Sequence, residues 1–395
     1  MTTPPGWCGD RRPGGGCQGS EKVPPLRSEG SDRSRGATTM HRIDDIVDLL
    51  VVGGGTAGIV GARTAAKLGA KVLPAERSRT GGDCLWTGCV PSKTLLSAAA
   101  AGAHHDGTNA EYFAVARRRV AAAITAVEPD DAPETLRAAC VEAHTVGPTA
   151  DTGGSGSVVV STSDGASYRA DVLLSHCRKD TAHRRLGLQG LGVDLDEDGH
   201  VLVSAAMRTS ASTIWAAGDV TTHADLTHVA GAYASTAVSN AVLGLRRSIS
   251  LTVPRVTYTS PEVAAVGVTS VGGRGLRESV VQHSHADRAI TEGQEEGFSR
   301  LIIGRGGRIL GGTIVGPRAG ESPAELTLAV QRKLSTTDLA AVIHPYPTYN
   351  DALWNAALAD ARTALESRPA MIALSLLIRL TRRRVTRRRQ PPAVG

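Results

Sequence analysis

The order of residues between 46 and 76 constrains the fold more than any other stretch of the chain. From Ile46 the run Val-Asp-Leu-Leu-Val-Val reads as a short buried strand. It passes directly into Gly53-Gly54-Gly55-Thr56-Ala57-Gly58 and then an Ala-rich helix to Leu68. A second strand, Lys71 to Ala75, ends at Glu76. Gly53, Gly55 and Gly58 have the spacing that lets a strand turn tightly, a pyrophosphate approach the backbone, and the helix pack close to the sheet. The helix N-terminus supplies free N–H groups and the positive end of its dipole. Glu76 stands where a carboxylate meets ribose hydroxyls. A glycine triplet alone also fits a non-binding α/β sheet; strand, turn, helix, strand and acid in this order predict a dinucleotide site. Pro74 is a local oddity, because it lacks a ladder donor and needs a position without a partner.

Composition agrees with an α/β enzyme. A chain of 395 residues with 41 % hydrophobic content can build two or three cored domains, which excludes wholesale disorder. Only 3 % is aromatic, with two Phe, against 45 Gly, so cores rest on Val, Leu, Ile and Ala. Base stacking on aromatic platforms is thereby excluded, and no nucleic-acid partner is expected. The net charge of +6 belongs to the C-terminus: without the seven arginines from Arg379 to Arg389, 37 basic residues face 38 acidic ones. Six cysteines (Cys8, Cys17, Cys84, Cys89, Cys140 and Cys177) are too sparse for a disulfide scaffold and fit a cytoplasmic protein. No metal site is expected.

The chain divides by pattern into six stretches. Residues 1–45, rich in Gly, Pro, Ser, Arg and Thr, read as a disordered extension, with Met40 as an alternative initiator. Residues 46–147 carry the glycine turn. Residues 148–205 are β-rich, with a strand at Val158–Ser161 and a turn at Asp164-Gly165. Residues 206–249 run from an apolar strand into Ala216-Ala217-Gly218-Asp219 and a small-residue helix near Val229–Leu243. Residues 250–366 alternate strands around 301–303 and 309–315 with helices around 322–334 and 350–365, an α+β pattern. The basic tail, 367–395, holds an apolar run from Met371 to Leu380 that is far shorter than the roughly 20 residues needed to span a bilayer. It reads as a solvated helical appendage, with an anionic membrane surface touching 370–389 as the alternative.

Cys84 and Cys89 lie in Gly81-Gly82-Asp83-Cys84-Leu85-Trp86-Thr87-Gly88-Cys89-Val90-Pro91-Ser92-Lys93. On a regular helix, Cα atoms five residues apart are roughly 8.6 Å from each other, beyond the usual reach of a disulfide. A bond therefore needs a distorted turn, which Gly88 and Pro91 can supply; two buried structural cysteines are the other reading.

Residues 48–96 resemble the pyridine nucleotide–disulfide oxidoreductases, flavoproteins that include dihydrolipoamide dehydrogenase, glutathione reductase and mercuric reductase. Three further segments are similar: Thr209-Ser210-Ala211 through Ile214-Trp215-Ala216-Ala217-Gly218-Asp219-Val220, Val253-Pro254-Arg255-Val256-Thr257-Tyr258-Thr259-Ser260-Pro261-Glu262-Val263 with Val266-Gly267, and His344-Pro345-Tyr346-Pro347-Thr348. The resemblance implies an α/β fold. A Rossmann-like FAD-binding domain in two sequence segments, 46–147 and 206–249, is joined to a C-terminal α+β dimerisation domain, 250–366. It implies a homodimer with FAD along Gly53, Gly55, Gly58, Glu76, Gly218 and Asp219. Cys89 would lie nearest the flavin and Cys84 would exchange with a small-molecule or disulfide substrate that the sequence does not identify. Lys93 resembles the lysine beside the flavin ring. Electrons would run from NAD(P)H through flavin to the Cys84–Cys89 disulfide and on to an acceptor.

The pattern breaks in two places. The family's second glycine fingerprint, for the nicotinamide cofactor, is missing between Val146 and Arg208, so 148–205 reads as a remnant of the NAD(P)H domain and NAD(P)H as donor is in doubt. The family's strand and its Ala-Thr-Gly-Arg turn are resembled by Val172-Leu173-Leu174-Ser175-His176-Cys177-Arg178, which lacks the glycine. In the C-terminal signature the family's histidine base aligns with Tyr346 and its acid with Asp351. A Tyr of ordinary pKa near 10 is a poor proton shuttle, and His344, two residues earlier, is the substitute. Tyr346 and Asp287-Arg288-Ala289 resemble the mercuric reductase branch, yet no cysteine follows Cys177 to receive the metal. The alternative to an enzyme is a non-catalytic FAD-binding remnant.

Overall fold

The computed structural model describes residues 47–102, 108–139, 144–145, 148–153, 157–162, 167–175, 186–223, 225–366 and 368–389. The expected extension 1–45, Met40, the turn at Asp164-Gly165, and Cys8, Cys17, Cys140 and Cys177 lie outside the described residues.

The first region is built from β1 (Val47–Val52), α1 (Thr56–Lys67), β2 (Val72–Glu76), α2 (Gly82–Trp86), α3 (Cys89–Gly102), α4 (Asn109–Asp131) and α5 (Pro133–Ala139). It continues with β3 (His144–Thr145), β4 (Pro148–Gly153), β5 (Ser157–Thr162), β6 (Ser167–Ser175), β7 (Ile214–Ala216) and α6 (Thr227–Leu243). One sheet has the order β3-β2-β1-β6-β5-β4, with β7 also pairing β6. Strands β3, β2, β1, β6 and β7 run parallel, whereas β4, β5 and β6 form an antiparallel meander. Nine-residue β6 serves two neighbours on one side: Ser167–Ala170 pair with β5 and Leu173–Ser175 pair with β7.

Alternation along β1 explains the two cores. Leu49 and Val51 join a cluster with Leu174, Met207, Tyr233 and Val238, while Leu50 and Val52 join Leu73, Val160, Leu173 and Ile214. Full burial of each such aliphatic side chain stabilises by about 1.5–3 kcal/mol. Small residues bring α1 against the sheet and α6; a Cβ on Gly61 would stand 2.6 Å from Leu174 Cδ2. Pro74 pairs with Val51 of β1, and β3 reaches β2 only from Ala75 onward, so the missing donor faces no ladder there.

The stretch read from sequence as a separate remnant, 148–205, is placed differently over its first part. Strands β4 to β6 are hydrogen-bonded into the same sheet as β1, with Leu49 opposite Val172 and Val52 opposite Ser175. The physical reason is β6 itself, whose apolar end, Val172 to Leu174, is long enough to lie against both β1 and β7.

The second region contains β8 (Arg255–Thr257), β9 (Glu262–Gly267), β10 (Arg277–Gln282), α7 (Asp287–Glu292), β11 (Phe298–Ile303), β12 (Ile309–Gly316), α8 (Pro323–Arg332), α9 (Thr336–Ala340), α10 (Asp351–Leu365) and α11 (Arg368–Arg389). Its five-stranded antiparallel sheet has the order β10-β11-β12-β9-β8. Leu326 and Ala329 of α8 and Leu353, Ala356 and Ala357 of α10 cover Leu301, Ile303, Ile309 and Ile314. Arg277 of β10 grips Asp360 of α10 through two hydrogen bonds, 2.6 and 2.9 Å. The strands and helices anticipated between 301 and 365 are all present. Among the described residues no helix is long and apolar enough to cross a membrane.

Candidate active site

Parallel β2, β1, β6 and β7 end on one edge, and the glycine turn, Glu76 and Gly218-Asp219 all follow those ends. Ligands of open α/β sheets bind along such an edge. Gly53 has φ +106° and donates its N–H to Ala75 O at 2.8 Å. A Cβ on Gly58 would lie 1.8 Å from Gly53 O, so only glycine lets α1 start this close to the turn. The first turn of α1 has neither a side-chain cap nor an acid, which leaves its N–H groups to an anion. Glu76 Oε2 accepts from Gly54 N–H at 2.5 Å and Oε1 from Ser78 N–H at 2.8 Å. A cavity at this turn is lined by Gly53, Gly54, Gly58, Glu76, Thr80 and Leu136. After β7, Gly218 has φ +80°, and Thr221 closes the turn onto Gly218 O. Ser175 Oγ, fully buried where β6 ends, has no hydrogen-bond partner among the described residues.

The cysteine segment is docked onto this turn. Gly81 donates its N–H to Gly54 O at 2.9 Å, and a Cβ on Gly82 (φ +56°) would stand 2.8 Å from Gly55 Cα. The helix breaks after Trp86. Thr87 and Gly88 both donate to Asp83 O, and α3 starts afresh at Cys89, which is the distorted turn that the spacing required. Cys84 and Cys89 are both half-buried free thiols. Cys89 Sγ lies 3.4 Å from Thr227 Oγ1 at the start of α6. Burial pushes the Cys84 thiol up, a hydrogen bond from Thr227 pulls it down, and Cys89 and Asp131 push it up again. Lys93 is exposed on α3 with its Nζ 4.3 Å from the centre of the Tyr258 ring.

The C-terminal candidates form a second group. His344 is held by Glu325, with Nε2 at 2.9 and 3.1 Å from the two carboxylate oxygens and Nδ1 at 3.0 Å from Val342 O. Both ring nitrogens thus face acceptor oxygens of the same chain. Tyr346, well exposed, donates its hydroxyl to Asp287, and this contact pushes the phenol up from its ordinary value. Burial raises Asp351, Asn355 lowers it and Asp287 raises it. The described hydrogen bonds and ring contacts of one chain link this group to none of Cys84, Cys89 and Lys93. Sequence reading missed Thr227, Tyr258 and the Gly81–Gly82 anchor. Of these only Gly81-Gly82 carries a local signal, a glycine pair just before a helix start.

A nucleotide-type α/β sheet with a cysteine pair docked on its glycine turn, followed by an antiparallel α+β domain, defines the fold of the FAD-dependent disulfide oxidoreductases. Comparison with known proteins agrees. The family described as pyridine nucleotide-disulphide oxidoreductase matches residues 47–131 and 134–234, and its dimerisation domain matches 253–357. The chain belongs to this family. A mercuric reductase of Streptomyces lividans is 35% identical over 194 residues, 47% of this chain and 40% of the relative. A dihydrolipoyl dehydrogenase of Thermus scotoductus is 37% identical over 185 residues, 46% of this chain and 40% of the relative. The chain thus spans about two-fifths of the length of these curated relatives. Among solved structures, LpdA from Mycobacterium tuberculosis superposes with a TM-score of 0.66 at 20% identity, covering 79% of this chain and 99% of that one. The HOCl-induced flavoprotein disulfide reductase RclA from Escherichia coli gives 0.62 at 18%, covering 78% and 98%.

Proposed function

We propose that the chain is an FAD-dependent disulfide oxidoreductase with Cys84–Cys89 as its redox centre. The observation that carries this reading is the Gly81–Gly54 hydrogen bond, which holds the cysteine segment against the turn that a dinucleotide would follow. The residues present fit FAD. The open N–H groups behind Gly53, Gly55 and Gly58 would take the pyrophosphate, and Gly218-Asp219 the ribityl chain. Glu76 would take a ribose: each of its oxygens accepts one backbone N–H and retains a lone pair for a hydroxyl. Bound FAD supplies a two-electron carrier.

The chain's own step is reduction of the Cys84–Cys89 disulfide by two electrons and two protons to two thiols, followed by exchange with an acceptor. Burial pushes the Cys84 thiol up against the hydrogen bond of Thr227. We read the stretch between β6 and β7 as what is left of the nicotinamide domain, and the electron donor as NAD(P)H or an outside reductant that the test below separates. We read the branch as the mercuric reductase-like one, on Tyr346 and the run Asp287-Arg288-Ala289; Tyr346 donates its hydroxyl to Asp287. The dimerisation domain supports a homodimer, and the sparse cysteines support a cytoplasmic setting.

A second reading is a non-catalytic FAD-binding remnant, which the bound state of both His344 ring nitrogens favours. The purified full chain separates the two. Its absorption spectrum is followed during anaerobic titration with NADPH, NADH and then dithionite, with free thiols counted before and after, beside Cys84→Ser. Flavin absorbance that bleaches with a gain of two thiols per chain, lost in the variant, supports the oxidoreductase; bleaching by dithionite alone assigns the donor elsewhere. A colourless protein, or bleaching without new thiols, overturns it.

A further inference from the structure

We propose that α11 is a docking element for an anionic lipid leaflet: Met371 to Leu380 enter the boundary between headgroups and acyl chains, and the arginines that follow bind lipid phosphates. The inference goes beyond the redox reading and uses neither flavin nor cysteine.

The match to the dimerisation domain ends at 357, and the last buried residue among those described is Ala361. Every residue whose burial is described after it, 362–366 and 371–382, is exposed. Residues 371–382 form more than three turns of helix, so over that length no side of α11 rests on the body. The seven large apolar side chains between Met371 and Leu380 are each 42–63% exposed. Contiguous apolar surface of this kind marks a contact site for a partner or a membrane.

Charge decides what covers it. The 22 residues of α11 hold eight arginines, seven of them from Arg379 onward, and no acid. The rest of the chain is nearly neutral, with 37 basic residues against 38 acidic ones, so the excess of positive charge is confined to this helix. A second copy of α11 laid parallel would set arginines against arginines, and one laid antiparallel along its length would set arginines against the apolar half. A nucleic acid would take the arginines and leave the apolar half in water, and the helix has no aromatic side chain to stack on bases. At about 100° per residue the seven apolar side chains point to every side of the helix. A rigid protein face covers one side only, whereas a fluid lipid boundary closes around all of them. Ten residues of helix reach about 15 Å, half of the roughly 30 Å hydrocarbon core. The apolar half therefore fits within one leaflet without crossing, and long arginine side chains extend from there to the phosphates.

The test is co-sedimentation of the purified full chain with vesicles of phosphatidylcholine alone or with about a third of phosphatidylserine, at low salt and at about 0.5 M salt. The parent is expected to pellet with the phosphatidylserine vesicles, to stay in solution with phosphatidylcholine alone, and to bind at least tenfold more weakly at the higher salt. Two substitution sets use glutamine, a good helix former. One joins Leu374→Gln, Leu377→Gln and Ile378→Gln; the other joins Arg382→Gln, Arg383→Gln and Arg384→Gln. Each set is expected to weaken binding at least tenfold and to leave the melting temperature unchanged. Equal binding to both vesicle types, or binding that survives either set, overturns the proposal. A lower melting temperature in the apolar set also overturns it, because the helix would then rest on the body. A parent that ignores phosphatidylserine, while the apolar set lowers the mass of the lipid-free protein in sedimentation, assigns the surface to a second copy. A parent that ignores the lipid and retains a labelled oligonucleotide assigns it to nucleic acid; either result overturns the proposal.

Discussion

Gly81 and Gly54, 27 positions apart in sequence, are joined by an N–H to carbonyl hydrogen bond of 2.9 Å that fastens the cysteine segment to the nucleotide turn. Gly82 follows at φ +56°, with room for no side chain against Gly55. Replacing Gly82 with Ala combines a left-handed backbone penalty with a clash against main chain. It is expected to destabilise the protein by about 2–3 kcal/mol, measured by urea unfolding, and to speed alkylation of Cys84 and Cys89 as the segment lifts.

Two other glycines predict opposite outcomes for the same substitution. Gly58→Ala drives a Cβ into Gly53 O at 1.8 Å and is expected to yield protein purified without flavin. Gly231, inside α6, would place its Cβ 3.5 Å from Val60 Cγ2, an ordinary contact. Gly231→Ala is therefore expected to stabilise by about 0.5–1 kcal/mol, read as a higher melting temperature with flavin content unchanged.

The Arg277–Asp360 pair is asymmetric. The arginine side chain is 44% exposed and the carboxylate only 6%, with Thr336 Oγ1 donating to the same carboxylate at 2.7 Å. Arg277→Met strands a buried charge and is expected to cost about 3 kcal/mol, whereas Asp360→Ala frees an arginine that reaches water and costs about half as much. Denaturant melts of the two variants at pH 7 test the order; equal losses would contradict it.

His283 gives a pH signature. It is fully buried, its Nε2 lies 3.2 Å from Ser299 Oγ, its Nδ1 has no partner among the described residues, and burial lowers its pKa from the ordinary 6.5. The unfolded chain therefore binds a proton that the folded chain refuses. The contribution to stability is full above pH 6.5 and is lost as pH falls from there through the lower folded value. His283→Gln is expected to flatten the stability profile between pH 7.5 and 5.5, followed by chemical denaturation at each pH.

How much of this was legible in the sequence depends on whether the signal is local. The strand–turn–helix–strand order of 47–76 and the strands and helices between 301 and 365 are written in spacing and periodicity over a dozen residues, and these elements are present. The broken helix between Cys84 and Cys89 was also legible, because an ordinary helix cannot bring the sulfurs together. Strand pairing is non-local: nothing within 148–175 says that β6 will lie beside β1, a hundred residues earlier, rather than in a body of its own. Thr227 reaches Cys89, and Tyr258 reaches Lys93, from distant segments through single side chains, which leave no pattern in their own neighbourhoods. His344 had the chemistry of a base, and only the packing of α8 shows its nitrogens already engaged by Glu325 and Val342.

The double duty of β6 makes the sheet a socket. The chain leaves it at Ser175 and returns at Ile214, which is paired with Leu173, so exit and return lie about 8 Å apart, two residues along and one strand across. Whatever is threaded between those points closes over the same short gap, and the entropy of closing it grows only slowly with length. A whole module can be spliced in or trimmed away at this joint while the ladders of β1, β6 and β7 stay as they are.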